Sequence, residues 1–363
     1  MKVLILTNND VGLYKFRKEF VQCLMSSYKV ILSLPNGEYV RLFQKMGCKY
    51  IDTPFNRRGK NPLRDFSQYR TYKRIIKAES PDVILTYTIK PNIYGGLAAK
   101  ACHIPFLATV TGMGTALEGG GMLARITTLL YSKGLKTASC VFFQNDTNRR
   151  FFTDKKLYTG KAVLVPGSGV NLTEHPYEEY PDEGNGINLL FIGRIMKDKG
   201  IDELLTAAEQ IKQRHSNVDF TLIGQYDESY QNKVEEAQRC KNVDYLGFQS
   251  DVHSFIKNAH AVVLPSYHEG MANVLEEAAA SGRPVIASSI PGCKEIFDEG
   301  ISGLSCRPRD VDSLVGTIEK FIALSYEQKK AMGLAGRKKM ERDFDRQKVV
   351  NAYIEEINKV IGE

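Results

Sequence analysis

The chain of 363 residues has no tryptophan, six histidines and seven cysteines. An odd cysteine number without any Cys-x-x-Cys gives neither a disulfide framework nor a zinc site. Cys23, Cys102, Cys140 and Cys293 read as small core fillers in a reducing compartment. The scattered histidines have no metal-ligand spacing. No apolar run approaches the ~18 residues needed to cross a bilayer. The opening Met1-Lys2-Val3-Leu4-Ile5-Leu6-Thr7-Asn8-Asn9-Asp10 turns polar too soon for a signal peptide and reads as a short buried strand. Short repeats and low-complexity segments are also absent. These absences leave a soluble, cytoplasmic globular protein as the expectation, with no metal and no cofactor.

The length suits two domains of about 150–200 residues each. The net charge of +7 is uneven: residues 1–185 carry 26 Lys/Arg against 15 Asp/Glu, and residues 186–363 carry 23 against 27. Much of the excess lies in Arg57-Arg58-Gly59-Lys60 and in Arg64, Arg70, Lys73, Arg74 and Lys77, with Leu63, Phe66, Tyr69, Tyr72 and Ile76 between them at helical spacing. Two readings are open: an amphipathic helix with a solvated cationic face, or a surface that docks on anionic lipid. No nucleic-acid-binding signature accompanies the charge, so nucleic acid is not an expected partner.

Short apolar strands alternate with helical segments twice over, which predicts α/β architecture with parallel sheets covered on both faces. The first half reads as strands at Lys2–Leu6, Lys29–Ser33, Lys49–Asp52, Asp82–Thr86 and Phe106–Thr111, then near Cys140–Gln144 and Ala162–Val165. Helices are expected at Tyr14–Ser26, Gly37–Met46, Pro62–Ala78 and Asn92–Cys102. The pattern restarts at Ile187 and continues with helix Ile201–His215, strand Asp219–Ile223, helix Tyr230–Lys241 and strand Val243–Leu246. This predicts a first lobe over 1–172, a linker over 173–186 containing Pro176, Pro181, Gly184 and Gly186, and a second lobe over 187–344. A helical tail over 345–363 is expected to pack back on the first lobe. Ligands of such sheets bind at the carboxyl ends of the strands, so an interlobe cleft is the expected site.

The motifs lie at strand ends. The segment Pro265-Ser266-Tyr267-His268-Glu269-Gly270-Met271-Ala272-Asn273-Val274-Leu275-Glu276-Glu277 runs from an apolar strand, Ala261 to Leu264, into a helical pattern from Asn273 to Ala280. The backbone of Gly270, Met271, Asn273, Val274 and Leu275 thus forms a helix N-terminus, which favours an anion such as phosphate. Glu269 and Glu277 flank it, and carboxylates accept hydrogen bonds from hydroxyls. A ligand bearing both phosphate and hydroxyls is a nucleotide sugar. In Gly193-Arg194-Ile195-Met196-Lys197-Asp198-Lys199-Gly200, the cations Arg194 and Lys199 span a strand-to-helix turn and can converge on one diphosphate. Gly247 closes a further strand, where backbone can receive a base.

Gly193-Arg194 with Lys199-Gly200, Leu246-Gly247, Pro265-Ser266 and Glu269-x7-Glu277 resemble, in order and spacing, the retaining family 4 glycosyltransferases, which have the GT-B fold of two Rossmann-like doubly wound lobes. The resemblance implies that Arg194 and Lys199 bind the donor diphosphate, Glu277 the ribose and Glu269 the transferred sugar. The pieces Phe16-Arg17, Lys90-Pro91-Asn92, Thr111-Gly112-Met113-Gly114 and Pro166 to Asn171 are similar to a branch that builds lipid-linked surface polysaccharides or glycan precursors. The implied acceptor is a polyprenyl-diphosphate-linked saccharide, with Arg17, Lys90, Gly112 and Gly114 as acceptor-side candidates. The expected donor is a UDP-sugar such as UDP-GalNAc or UDP-Gal. The chain departs from the family pattern at Asn8-Asn9-Asp10-Val11-Gly12, where a paired glycine is usual and Gly12 stands alone for the donor. It also lacks a clear basic match near Thr109–Gly114. Gly112 and Gly114 either let backbone approach a ligand or keep a loop mobile, and Lys90 either meets an acceptor phosphate or is a surface lysine.

Asp310-Val311-Asp312 and Asp343-Phe344-Asp345 have the Asp-x-Asp spacing of metal-dependent transferases but lie in helical or connecting sequence away from the motifs. Arg194, Lys199 and the helix before Glu277 then supply the positive charge for a metal-independent departure of the nucleoside diphosphate. The resemblance implies retention, with the acceptor attacking from the leaving group's face and no protein nucleophile. Two other classes remain open: a non-transferase enzyme of the same form, such as a nucleotide-sugar epimerase, and a sugar-binding protein.

Overall fold

In the computed structural model, the described residues are 1–54, 62–112, 121–227 and 229–362. They divide into two compact units, Met1–Ser168 with Gln347–Glu363, and Gly169–Arg346. Arg57, Arg58, Gly59, Lys60 and Gly114 lie outside the described residues.

The first unit is built on a seven-stranded parallel sheet: β1 Lys2–Leu6, β2 Lys29–Leu34, β3 Lys49–Asp52, β4 Val83–Tyr87, β5 Phe106–Val110, β6 Cys140–Phe143 and β7 Ala162–Leu164. Its order is β3-β2-β1-β4-β5-β6-β7, so the strand direction of winding reverses between β1 and β4. Continuous apolar strands such as Val83–Tyr87 are buried along their whole length because both faces are covered. Helix Asp10–Met25, helix Val40–Lys45 and the C-terminal helix Arg346–Ile361 contribute to one core through Leu13, Phe20, Phe43, Tyr353 and Ile357. Helices Pro62–Glu79, Gly96–Cys102, Gly121–Leu135 and Asp146–Asp154 contribute to the core on the other side through Tyr72, Ala99, Tyr131 and Phe152.

The second unit repeats the plan with six parallel strands: β8 Ile187–Ile192, β9 Val218–Ile223, β10 Asp244–Tyr245, β11 Ala261–Leu264, β12 Val285–Ser288 and β13 Gly303–Cys306, in the order β10-β9-β8-β11-β12-β13. Its switch point lies between β8 and β11. Helices Ile201–Arg214, Asn273–Ala280 and Val311–Ile322 pack on this sheet through Leu204, Leu275 and Ile318.

The structure differs from the sequence expectation in three respects. Residues 173–186 form part of the second unit. The fully buried Arg283 donates to the backbone carbonyls of Glu178 (3.1 Å) and Glu179 (2.7 Å), while Lys329 pairs with Glu183 at 2.9 Å. The helix expected over Asn92–Cys102 opens with a π-turn, Pro91–Gly95, before α-helix Gly96–Cys102. Helices Gly121–Leu135, Asp146–Asp154, Val311–Ile322 and Tyr326–Lys339, and strand β13, were not assigned from the sequence. Gly119-Gly120-Gly121 and the β-branched Thr127-Thr128 mask the first of these helices, since such residues weaken a helical signal.

Candidate active site

The densest polar constellation at the second unit's switch point comes from the loops that follow β8 and β11. After β8 the chain makes a 3₁₀ turn, Lys197–Lys199, closed by Gly200 in the left-handed conformation (φ +71°). A Cβ on Gly200 would fall 2.1 Å from the carbonyl oxygen of Pro265, so glycine is required both for its φ and for the close approach of the two loops. The Tyr267 N–H donates to the Asp198 carbonyl at 2.8 Å, fixing their register. The Tyr267 hydroxyl donates to Glu203 at 2.7 Å.

This packing brings two of the sequence-derived residues together. Lys199 Nζ donates to Glu269 Oε1 at 2.5 Å, with only 19% and 12% of the two side chains exposed. The buried Ser266 hydroxyl donates to the same oxygen at 2.8 Å. Both contacts land on Oε1, and Oε2 takes neither. Arg194 stands apart from this pair: its guanidinium donates to Asp227 Oδ2 at 2.5 Å and its side chain is 61% exposed. Behind Glu269, Gly292 (φ +85°) lies so close that a Cβ would sit 2.7 Å from the Glu269 carbonyl oxygen. The Ala272 N–H donates to the Gly292 carbonyl at 2.9 Å. The 265–272 turn is therefore clamped from two sides.

Helix Asn273–Ala280 starts at Ala272 without a side-chain cap. Its first turn is partly closed on itself: the N–H groups of Asn273, Leu275 and Glu276 donate to the carbonyls of Met271, Ala272 and Ala272. The side chains of Met271 and Leu275 are buried in the core, so any role in ligand contact falls to their backbone. Gly270, Asn273, Val274 and Glu277 are half-buried. Gly247 adopts φ +68° with open space around it, and its carbonyl accepts from the Gly224 N–H at 2.9 Å.

Sequence reasoning missed Ser266 as a Glu269 partner, Asp227 as the Arg194 partner, and Glu276. Glu276 is 1% exposed, and its Oε1 is buried without a hydrogen-bond partner. Burial pushes its carboxyl up from 4.5 to about 8, and the neighbouring Glu277 adds to the rise while Arg346 opposes it. No motif could have flagged it; at an apolar position of the helix it reads as one more surface glutamate. The Pro291-Gly292 dipeptide was the available signal for the clamp.

In the first unit the candidates are mostly bound to structure. The Gly12 N–H donates to the Asn9 side chain at 2.6 Å, because Asn9 caps helix Asp10–Met25 and places Gly12 within its first turn. Arg17 is 7% exposed, with its guanidinium 4.4 Å from the centre of the Tyr87 ring. Lys90 is half-buried ahead of the π-turn, and Gly112 takes φ +149° at the end of the described segment. Asn92, beside Lys90, is fully buried: it accepts from Thr86 (2.7 Å) and donates to the Thr109 carbonyl (2.8 Å) and Tyr131 (3.0 Å). Asp310 caps helix Val311–Ile322, accepting from the Ser313 N–H and from Arg307 at 2.8 Å each, and Asp343 pairs with Arg342 at 2.7 Å.

Residues 2–145 match the family model described as glycosyl transferase 4-like, and residues 178–339 match that of glycosyl transferases group 1. A capsular polysaccharide biosynthesis glycosyltransferase of Staphylococcus aureus, CapM, is 32% identical over 309 residues, spanning 78% of this chain and 80% of that protein. This chain belongs to the glycosyltransferases. A second relative of this glycosyltransferase, 26% identical over 99% of both chains, is the N,N'-diacetylbacillosaminyl-diphospho-undecaprenol alpha-1,3-N-acetylgalactosaminyltransferase of Campylobacter jejuni. Among solved structures, the HepE protein of Anabaena in complex with UDP-glucose superposes with a TM-score of 0.80 at 17% identity, covering 99% of this glycosyltransferase and all of HepE. That likeness gives the fold: two doubly wound lobes of the GT-B type.

Proposed function

We propose that this glycosyltransferase moves a hexose or N-acetylhexosamine, from a UDP-sugar such as UDP-GalNAc or UDP-Gal, onto a polyprenyl-diphosphate-linked saccharide, with retention and without a metal. The observation that carries the reading is the Lys199–Glu269 pair at the second unit's switch point. Lys199 and Arg194 hold the diphosphate, and Glu277 accepts from the ribose hydroxyls. When the diphosphate draws Lys199 away, the Glu269 carboxylate is left facing the sugar hydroxyls, held by Ser266. Its negative charge then matters most as the anomeric carbon gains positive charge, which is where an enzyme lowers the barrier. The choice of donor and acceptor is supported by the relative that acts on a diphospho-undecaprenol substrate and by the UDP-glucose complex of HepE.

The test is nucleotide release by the purified chain from a panel of UDP- and GDP-sugars, with and without a polyprenyl-diphosphate-linked acceptor and with excess EDTA. Acceptor-dependent UDP release that survives EDTA, with the product anomer matching the donor by NMR, is the expected result. Turnover without acceptor would favour an epimerase-like reading. Loss with EDTA that is restored by magnesium or manganese would replace the cationic account of the leaving group.

A further inference from the structure

The first unit carries an apolar stripe that the catalytic reading does not use. On helix Gly121–Leu135, Met122, Ile126 and Leu129 are 78%, 49% and 55% exposed. Their spacing of four and three residues puts them on one helical face. Among the described residues, no other helix exposes more than one large apolar side chain. The stripe is not a packing face turned the wrong way. The opposite face is already filled by Tyr131, Gly134 and Leu135: Tyr131 receives a hydrogen bond from Asn92, and a Cβ on Gly134 would lie 2.7 Å from Ile93 Cα.

The surroundings of the stripe are cationic. Arg125 and Lys133 are exposed on the same helix, which contains no carboxylate, and Lys136 follows it. Helix Gly96–Cys102, with exposed Lys100, packs against this helix and against helix Pro62–Glu79. On the latter, Arg70, Lys73, Arg74 and Lys77 line one groove. The nearby Glu79 is engaged by Lys49 at 2.7 Å.

We infer that this face of the first unit docks on an anionic membrane surface, with Met122, Ile126 and Leu129 entering the headgroup–acyl boundary and the flanking cations meeting lipid phosphates. A helix with an apolar face and a cationic border has this preference. A second copy of the chain would bring the same positive charge against itself, which disfavours it as the occupant. The inference rests on the proposed lipid-linked acceptor for its choice of membrane, and it adds the inserted residues to the basic stretch around Arg70–Lys77.

The chain's lack of tryptophan gives a direct test. Leu129→Trp creates a single-tryptophan protein whose emission should shift blue, and be quenched by brominated lipid, with phosphatidylcholine–phosphatidylglycerol vesicles but not with phosphatidylcholine alone. Replacing Met122, Ile126 and Leu129 together by serine should lower vesicle sedimentation about tenfold or more. Arg125→Gln with Lys133→Gln should reduce the preference for phosphatidylglycerol. The serine variant should keep its thermal unfolding midpoint and its UDP release with detergent-solubilised acceptor. An unshifted tryptophan spectrum would overturn the inference, as would serine-variant sedimentation equal to wild type. So would a wild-type dimer that the serine variant dissolves while vesicle binding stays unchanged. Insertion without any use of a lipid-linked acceptor would leave the docking surface standing and remove the acceptor reading instead.

Discussion

At the first unit's switch point, Asn9 closes a helix end, Arg17 lies against Tyr87, and Asn92 ties β4 and β5 to helix Gly121–Leu135. At the second unit's switch point, Lys199, Glu269 and Ser266 converge on one another in a partly exposed cluster, and Arg194 reaches Asp227 nearer the surface. The two sheets have the same winding, yet one set of strand-end polar groups is held by buried structural partners and the other consists of ion-paired charges that are partly exposed. A lysine bound only to a carboxylate can exchange it for a diphosphate at little cost. An asparagine holding three buried partners cannot be moved without leaving them unsatisfied. This contrast supports the proposal that the donor is handled by the second unit.

The largest effect that would break the contrast is at Glu269. Glu269→Gln should lower turnover by about 10²–10³-fold, of the order seen when one electrostatic stabiliser of a transition state is removed, while calorimetric UDP affinity stays nearly constant. Unchanged turnover would make the Lys199–Glu269 pair a loop brace and erase the distinction between the units. Next is Asn92→Ala, which strands Thr86, the Thr109 carbonyl and Tyr131 and should cost about 2–4 kcal/mol of stability in urea unfolding. UDP affinity should not follow, since Asn92 belongs to the structural side of the comparison. Glu277→Ala should weaken UDP binding by roughly 1.5–3 kcal/mol, read by calorimetry, as the ribose hydroxyls lose a charged acceptor. Wild-type affinity would remove Glu277 from the site.

The smallest effect sharpens the comparison within the second unit. Glu276 is protonated more readily when folded, at about 8 against 4.5, so the folded state binds the extra proton between those values. Its contribution to stability therefore falls as pH rises from about 4.5 through 8 and is fully lost above it. Glu276→Leu should raise stability by on the order of 1 kcal/mol at pH 8 and by less at pH 5, flattening the profile. An unchanged slope would mean that Glu276 finds a charged-state partner.

By itself the sequence determined the two parallel sheets, because continuous apolar strands separated by helical spacing have few other solutions. It also determined the candidate donor loops, since Gly200, Pro265 and the Glu269-x7-Glu277 spacing are local features with local consequences. Tertiary structure decided which polar residues meet. That Ser266 and Lys199 share one oxygen of Glu269 depends on a Gly200–Pro265 contact between residues 65 positions apart. The burial of Arg17 and Asn92, the attachment of 173–186 to the second unit, and the isolation of Glu276 are likewise products of packing. So is the outward stripe of Met122, Ile126 and Leu129, which became visible only once the opposite face of its helix was filled. Periodicity along a chain reports which residues share a face. Whether that face turns to a core, to a ligand or to a membrane is fixed by the elements that arrive from elsewhere in the sequence.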